Sequence, residues 1–269
     1  MNYDLMIPVM RRLALQAGEK IMEIYGKDDF AVKLKSDDSP VTAADEKADA
    51  LISEGLRAAF PDIMLVTEEQ LETHTFTNDM FFIVDPLDGT KEFIKKTGEF
   101  TVNIALILNE KAELGVVYVP VTGELYYRDL DGASYLERGV NDVRGRSERT
   151  KIFCREADLE NLSVVKSVSH SSPETEAYIA QYVPKKSESA GSSLKFGLIA
   201  RGIADLYPRL GRTMEWDTGA AHAVLKGAGG NVWRLDTLQE LSYGKVGMEN
   251  PFFVAARNGM ALRPYNGGP

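Results

Sequence analysis

The chain has 269 residues, of which 44% are hydrophobic and 26% are charged, a composition that argues against intrinsic disorder. Its net charge is −9, from 31 Lys and Arg against 40 Asp and Glu. An acidic chain is a poor candidate for a general nucleic-acid binder, because phosphate backbones bind clustered Lys and Arg. A phosphorylated small molecule remains compatible with this charge, since a metal ion can supply positive charge locally.

Cysteine usage and the absence of long apolar runs indicate the cellular compartment of the protein. Cys154 is the only cysteine, so the chain can form no internal disulfide and no four-thiolate metal site. Such usage is typical of a reducing compartment. The N-terminus lacks the pattern of a signal peptide, and no run approaches the roughly 20 apolar residues that span a bilayer. We therefore expect a cytoplasmic protein without a transmembrane segment.

Two amphipathic helices are predicted at the start of the chain. Apolar residues recur at helical spacing over residues 4–25, and a polar segment at residues 33–40 predicts a loop. Thr42 then precedes a second helical pattern that runs to about residue 60. Asp45 follows Thr42 by three residues, a spacing that is typical of a capping box at a helix start.

The middle of the chain favours β-structure. Short β-rich segments occur at residues 63–67, 81–84, 100–108, 114–119 and 124–128. Turn-like residues separate the last three segments, which predicts an antiparallel meander. Residues 138–151 are charged and nearly free of large apolar groups. We expect the boundary between two halves there, residues 1–140 and 151–269, within one catalytic unit.

The second half alternates between strand-like and helix-like patterns. The predicted strands are residues 162–169, 204–209, 231–235 and 252–256. The predicted helices are residues 173–182, 192–201 and 217–226. Alternation of this kind predicts a partly parallel sheet.

Acidic residues stand at the ends of several predicted elements: Glu68, Glu69, Asp85, Asp88 and Asp217. Taken singly, each has an ordinary structural explanation, such as a solvated strand end, an Asp-Gly turn or a helix N-cap. Together they can converge at one sheet edge, where carboxylates repel one another unless cations neutralise them. Mg²⁺ suits such oxygen ligands, whereas the scarcity of His and Cys argues against Zn²⁺.

Residues 85–90, with the sequence DPLDGT, have the composition of a metal and phosphate site. Pro86 constrains the backbone so that both aspartates can face one site, and the Leu87 carbonyl can add an oxygen ligand. Gly89 permits close approach of the backbone to an anion, which the following amides can cradle. Thr90 presents a hydroxyl group beside the metals.

These motifs resemble those of the lithium-sensitive, Mg²⁺-dependent phosphatase superfamily that includes the inositol monophosphatases. The matching segments are residues 68–69, 85–90 and 216–221, and the resemblance spans nearly the whole chain. Other segments are similar to one bacterial branch, the CysQ-type 3′(2′),5′-bisphosphate nucleotidases. Those segments are residues 91–95, 98–106, 169–170, 191–196 and 206–209.

The resemblance implies a layered α-β-α-β-α sandwich of the α+β or α/β class, as in inositol monophosphatase and fructose-1,6-bisphosphatase. It also implies hydrolysis of adenosine 3′,5′-bisphosphate to AMP and phosphate in sulfur metabolism, with 3′-phosphoadenylyl sulfate as a second substrate. One Mg²⁺ would be held by Glu68, Asp85 and the Leu87 carbonyl. Asp85 would bridge to a second Mg²⁺ on Asp88 and Asp217, and a third ion near Glu68 is compatible with the family.

The remaining roles also follow from the resemblance. Asp45 and Thr90 would orient and deprotonate the attacking water. The substrate would contact Glu68, Asp88, Gly89, Thr90 and Asp217. The rest of the nucleotide would contact Ser169, His170, Ser192, Lys195 and Arg209, of which Lys195 and Arg209 suit the 5′-phosphate as point charge and fork respectively.

Two alternative functions remain compatible with the sequence. An inositol monophosphatase or sugar phosphatase would share the metal site and differ only in its specificity residues. A non-catalytic sensor of a phosphorylated ligand is disfavoured, because it predicts a broken metal set or the loss of Asp45 or Thr90. We expect a monomer or homodimer with a small-molecule substrate, either free in the cytoplasm or peripheral on the inner face of the membrane.

Overall fold

A computed structural model describes residues 3–27, 32–34, 40–74, 78–140, 147–167 and 172–265. Within these ranges the α-helices are α1 (Met6–Tyr25), α2 (Ala43–Ala59), α3 (Thr90–Ile94), α4 (Pro173–Ala180), α5 (Leu194–Ala200) and α6 (Gly219–Gly227). The first nine strands are β1 (Val32–Leu34), β2 (Pro40–Thr42), β3 (Met64–Thr67), β4 (Met80–Asp88), β5 (Thr101–Leu108), β6 (Lys111–Val119), β7 (Glu124–Arg128), β8 (Ser134–Arg138) and β9 (Glu148–Lys151). The others are β10 (Ser163–Ser167), β11 (Lys186–Ala190), β12 (Leu206–Arg209), β13 (Gly230–Arg234) and β14 (Phe253–Arg257).

The first two helices form where the apolar periodicity predicts them. Helix α2 begins with the predicted capping box: the Thr42 backbone N–H donates to Asp45 Oδ2 over 2.8 Å, and the Thr42 hydroxyl accepts from the Ala44 N–H over 3.1 Å. The prediction of a loop over residues 33–40 is wrong at both ends. There β1 and β2 pair antiparallel, with Leu34 opposite Pro40.

A seven-stranded sheet carries most of the first half, in the order β3-β4-β5-β6-β7-β8-β9. Only β3 and β4 are parallel among these pairs, and β5, β6 and β7 form the predicted antiparallel meander. The meander continues through β8 and β9. Residues 148–151 are therefore a strand of this sheet rather than part of a linker, whereas residues 141–146 lie outside the described ranges.

A five-stranded sheet forms the second half, in the order β11-β10-β12-β14-β13. Strands β11, β10 and β12 are parallel to one another, whereas β14 runs antiparallel to both of its neighbours. The alternation of strands and helices therefore predicted the partly parallel character correctly.

The elements stack in five layers. Helices α1 and α2 cover one face of the seven-stranded sheet, and α5 and α6 lie between the two sheets. Helix α4 covers the outer face of the five-stranded sheet. This arrangement confirms the predicted α-β-α-β-α sandwich, while the division into residues 1–140 and 151–269 stays a prediction. None of the helices within the described ranges is both long and apolar enough to cross a membrane.

Candidate active site

Four of the five predicted acidic residues line one cavity of about 240 Å³, whereas Glu69 is not among its lining residues. Strand β3 leads into Glu68, β4 carries Asp85 and Asp88, and Asp217 lies just before α6. The lining includes ten of the residues that the sequence predicted for the site, namely Glu68, Asp85, Leu87, Asp88, Gly89, Thr90, Ser192, Lys195, Arg209 and Asp217.

An irregularity in β4 places its two aspartates at the same cavity. Asp85 pairs with Asn103 and Asp88 pairs with Thr101, so β4 has one more residue than β5 across this stretch. In a regular strand two residues three apart face opposite sides, whereas a bulge of one residue restores them to the same side. The Leu87 backbone N–H donates to Asp85 Oδ1 over 3.1 Å, which stabilises the bulged turn.

Gly89 ends the bulged segment in a conformation that favours glycine. Its φ angle is +94°, in the left-handed region that other residues seldom adopt. A Cβ atom at this position would lie 3.1 Å from the Glu99 carbonyl oxygen and 3.2 Å from the Ser192 Cβ. The glycine therefore permits both the turn into α3 and the close approach of the neighbouring segments.

Burial and mutual repulsion raise the pKa values of three carboxylates at the cavity. Burial, followed by the charges of Glu68, Asp88 and Asp217, raises the pKa of Asp85 well above its usual value. Burial, with Asp88 and Glu68, raises the pKa of Asp217 to about 8. Burial likewise raises the pKa of Asp88, although the Lys195 ammonium opposes this. Buried carboxylates that destabilise one another in this way favour a bound cation.

The donor set fits a hard cation such as Mg²⁺, because it consists of carboxylates and the Leu87 carbonyl. Within the described residues, no group of three or more His, Cys, Asp or Glu side chains is already arranged as a metal cluster. Mg²⁺ usually takes only one or two protein carboxylates and completes its octahedron with water and substrate phosphate. Shared carboxylates and a carbonyl are therefore compatible with such a site.

Asp45 and Thr90 lie in contact, as their predicted pairing requires. The Thr90 hydroxyl is 3.0 Å from Asp45 Oδ1 and lies at the cavity, whereas Asp45 is only 1% exposed. Thr42 donates twice to Asp45 Oδ2, from its N–H over 2.8 Å and from its hydroxyl over 2.7 Å. Burial raises the pKa of Asp45, although the hydrogen bonds from Thr42 and Thr90 oppose the shift.

Ser193 and Asn103 form a network that the sequence analysis missed. Asp88 Oδ2 accepts from the Ser193 N–H over 2.6 Å and lies 2.9 Å from the Ser193 hydroxyl. Asn103 Nδ2 is 3.3 Å from the same oxygen and 2.9 Å from the hydroxyl. That hydroxyl is also 2.9 Å from the Asp217 carbonyl oxygen. The network joins the first sheet to the start of α5 and to the segment before α6.

The cavity also has cationic lining residues, Lys195, Arg209 and Arg212, which are here called its basic end. Lys195 is only 6% exposed and not a solvated helix residue, and burial lowers its pKa to about 8. Its Nζ donates to the Ser192 carbonyl over 2.5 Å and lies 5.4 Å from the centre of the Tyr207 ring. Arg209 Nη2 donates to the Arg212 carbonyl over 3.0 Å.

Further lining residues were not predicted as site residues, among them Tyr207, Arg212, Thr213 and Phe253. Tyr207 could have been found from strand alternation, because it lies two residues from Arg209 and therefore on the same face of β12. Arg212 and Thr213 lie in an irregular segment where no periodicity identifies them. The predicted contacts Ser169 and His170 lie outside the described residues; Ser167, at the end of β10, lines the cavity.

Comparison with known proteins agrees with this geometry. Residues 2–263 match the model of the inositol monophosphatase family. The 3′(2′),5′-bisphosphate nucleotidase CysQ of Salmonella typhimurium is 45% identical over 242 residues, which cover 87% of this chain and 93% of the relative. The corresponding protein of Buchnera aphidicola is 38% identical over 256 residues, covering 93% of both chains.

Solved structures give the same result for the fold. The crystal structure of CysQ from Bacteroides thetaiotaomicron, a bacterial member of the inositol monophosphatase family, superposes with a TM-score of 0.79 at 38% identity. The match covers 95% of this chain and 98% of the other. An inositol monophosphatase from Thermotoga maritima superposes with a TM-score of 0.74 at 24% identity, a likeness of fold. The chain belongs to the inositol monophosphatase family.

Proposed function

We propose that this protein is a Mg²⁺-dependent 3′(2′),5′-bisphosphate nucleotidase that hydrolyses adenosine 3′,5′-bisphosphate to AMP and phosphate. The observation that carries the proposal is a single cavity whose lining combines the carboxylates of Glu68, Asp85, Asp88 and Asp217 with the cations Lys195, Arg209 and Arg212. A substrate with two phosphates could place one at the carboxylates, through bound metal ions, and the other at the cations. The relatives that are 38–45% identical over most of the chain carry this activity in their names.

The carboxylate end would hold the metal ions. Glu68, Asp85, Asp88 and Asp217, with the Leu87 carbonyl, are the proposed ligands of two or three Mg²⁺. Bound Mg²⁺ would polarise the phosphoryl group, lower the pKa of the attacking water and stabilise the leaving oxygen. Enzymes of this family are metal-dependent phosphatases, so the class of chemistry does not depend on the number of ions.

Thr90 and Asp45 would handle the proton of the attacking water. Because the Thr90 hydroxyl donates to Asp45 Oδ1, its oxygen lone pairs are available to accept from a water in the cavity. As the water attacks phosphorus, its proton passes to the Thr90 oxygen while the Thr90 proton moves to Asp45. The P–O bond to the sugar breaks and the leaving oxygen takes a proton from solvent. Asp45 then returns its proton through Thr90 to solvent, which balances the reaction and restores the carboxylate.

The basic end would hold the second phosphate. Lys195 and Arg209 would contact the 5′-phosphate, and Ser192 would contact the sugar side of the nucleotide. Arg212 and Thr213, which line the same end, join the proposed contacts. The same side chains are the proposed contacts for the additional anionic group of 3′-phosphoadenylyl sulfate, the proposed second substrate.

Phosphate release across a substrate panel tests the proposal. The panel is adenosine 3′,5′-bisphosphate, inositol 1-phosphate, fructose 1,6-bisphosphate and AMP, each with Mg²⁺ and with the Asp217→Asn variant as the inactive control. We expect kcat/KM to be greatest for adenosine 3′,5′-bisphosphate. Faster release from inositol 1-phosphate or fructose 1,6-bisphosphate would instead establish the inositol or sugar phosphatase. Binding of these compounds without release from any of them would establish a sensor.

A further inference from the structure

His74 contacts two segments that each lead directly into a proposed metal ligand. Its Nε2 atom is 2.7 Å from the Thr67 carbonyl oxygen, and its ring stacks on Trp216 with the ring centres 4.6 Å apart and the planes 27° apart. Thr67 is the residue before Glu68, and Trp216 is the residue before Asp217. One half-buried side chain therefore links the segments that lead into Glu68 and Asp217.

Other interactions hold in place both residues that His74 contacts. The Thr67 hydroxyl donates to Asp49 Oδ1 over 2.5 Å, and the Thr67 N–H donates to the Thr73 hydroxyl over 3.1 Å. Trp216 is only 7% exposed and belongs to the core between the two sheets. His74 thus connects the end of β3 in the first sheet with the start of α6, which lies between the sheets.

We propose that His74 is a positioning residue, which holds the Glu68 and Asp217 segments at the separation that Mg²⁺ binding requires. The inference rests on the proposed function only for the identity of the metal site. The hydrogen bond requires a proton on Nε2, since the partner is a carbonyl oxygen. His74 is not among the described residues that line the cavity, so its effect on the site passes through Thr67 and Trp216.

Three variants separate the two contacts. His74→Phe keeps an aromatic ring for Trp216 and loses the hydrogen bond, His74→Gln keeps a donor and loses the ring, and His74→Ala loses both. Residues that orient metal ligands typically change metal affinity by about 10- to 100-fold when they are removed. We expect Mg²⁺ to bind about tenfold more weakly to His74→Ala, and about threefold more weakly to each of the other two.

Calorimetric titration of the full chain with Mg²⁺ measures the Mg²⁺ affinity of each variant without any substrate. The matched control is Phe252→Ala, which removes an aromatic contact to Tyr265 at the outer face of the second sheet. We expect Phe252→Ala to lower the melting temperature and leave the Mg²⁺ dissociation constant unchanged. The partial recovery of Mg²⁺ affinity in His74→Phe and His74→Gln, relative to His74→Ala, distinguishes positioning from a general loss of stability.

Trp216 fluorescence gives a second readout. In a Trp233→Phe background Trp216 is the only tryptophan, and His74→Ala should shift its emission to longer wavelength because water replaces the imidazole ring. Unchanged emission together with Mg²⁺ affinities within twofold of wild type in all three variants would overturn the positioning role. Failure of the wild-type chain to bind Mg²⁺ would overturn the proposed metal site as well, so the two failures are distinguishable.

Discussion

At the residue scale, Asp88 is oriented by groups from two other parts of the chain. Four contacts from Ser193, Asn103 and Thr101 all reach its Oδ2 atom, at 2.6–3.5 Å. This pattern leaves Oδ1 as the oxygen that a metal ion would meet. Hydrogen bonds to an ionised carboxylate are among the stronger polar contacts in proteins.

Ser193→Ala should therefore weaken the use of Mg²⁺. The backbone N–H contact survives, so we expect a loss of about tenfold in Mg²⁺ affinity rather than loss of the site. The measurement is the Mg²⁺ concentration that gives half-maximal phosphate release. The control is Ser134→Ala, since Ser134 is an equally buried serine that donates to the Val224 carbonyl over 2.6 Å. A similar increase in the Mg²⁺ requirement in both variants would contradict the assignment.

The electrostatic interactions of the basic residues show which substitution best tests specificity for the second phosphate. Both Lys195 and Arg209 interact electrostatically with Asp217, and Lys195 also with Asp88, so their removal perturbs both ends of the cavity. Arg212 is 62% exposed at the basic end and pairs weakly with Glu249 at 3.8 Å.

We therefore expect Arg212→Ala to lower kcat/KM about tenfold for adenosine 3′,5′-bisphosphate and to spare 3′-AMP, which lacks the second phosphate. Lys195→Ala should lower kcat/KM for both substrates. Arg212→Lys is the conservative control and should retain most of the activity. Equal losses on the two substrates for Arg212→Ala would remove Arg212 from the second-phosphate site.

At the scale of elements, helix α6 sets the position of Asp217 by packing closely on the first sheet. A Cβ atom at Gly115 of β6 would lie 2.2 Å from the Ala220 carbonyl oxygen and 2.9 Å from the Ala223 Cβ. Gly115→Ala must displace α6, because the obstacle is helix backbone. Overpacking of this kind typically costs about 1–3 kcal/mol.

We expect Gly115→Ala to lower the melting temperature and to weaken Mg²⁺ binding, since Asp217 precedes α6 by two residues. Gly26→Ala serves as the control, because its added methyl group would meet only the Met22 carbonyl oxygen at 3.5 Å. Thermal unfolding and Mg²⁺ titration of both variants make the comparison. Normal Mg²⁺ affinity in Gly115→Ala would show that the position of Asp217 does not depend on how α6 packs against the first sheet.

The same helix introduces a dependence of stability on pH. His222 is fully buried, with Nδ1 3.0 Å from the Tyr243 hydroxyl and Nε2 2.5 Å from Asn231 Oδ1. Burial lowers its pKa from 6.5 to about 4. Between these two values the unfolded chain binds a proton that the folded chain does not, so the free energy of unfolding falls as the pH falls.

The cost attributable to His222 should reach about 2 kcal/mol at pH 5. Urea unfolding at pH 7 and pH 5 measures it, as the difference in pH dependence between wild type and His222→Gln. The variant should lose less stability over this range. An identical pH dependence in the two proteins would contradict the lowered pKa of His222.

Some elements were predictable from the sequence and others were not. Helices α1 and α2 have clear apolar periodicity because each buries one face against the sheet. Strands β9 and β11 were missed, because nearly all of their residues are exposed and polar: β9 reads ERTK and β11 reads KSESA. Both lie at sheet edges, where polar and charged residues prevent pairing with other chains and hide the strand pattern.

At the scale of the whole molecule, the site residues that could be predicted are those whose chemistry is visible in a short motif. The carboxylates and residues 85–90 fall in this class. Ser193 acts on Asp88 across 105 positions of sequence, and His74 reaches Trp216 from the other half of the chain. Such contacts depend on how the two sheets enclose α5 and α6, which no local pattern encodes.

The identity of the product formed from adenosine 3′,5′-bisphosphate tests the central claim most directly. The two ends of the cavity should hold the 3′-phosphate at the carboxylates and the 5′-phosphate at the basic residues. Chromatography of the reaction should therefore show 5′-AMP and phosphate with Mg²⁺, and no product after chelation. Formation of 3′-AMP, or equal hydrolysis with and without the chelator, would contradict the proposed function.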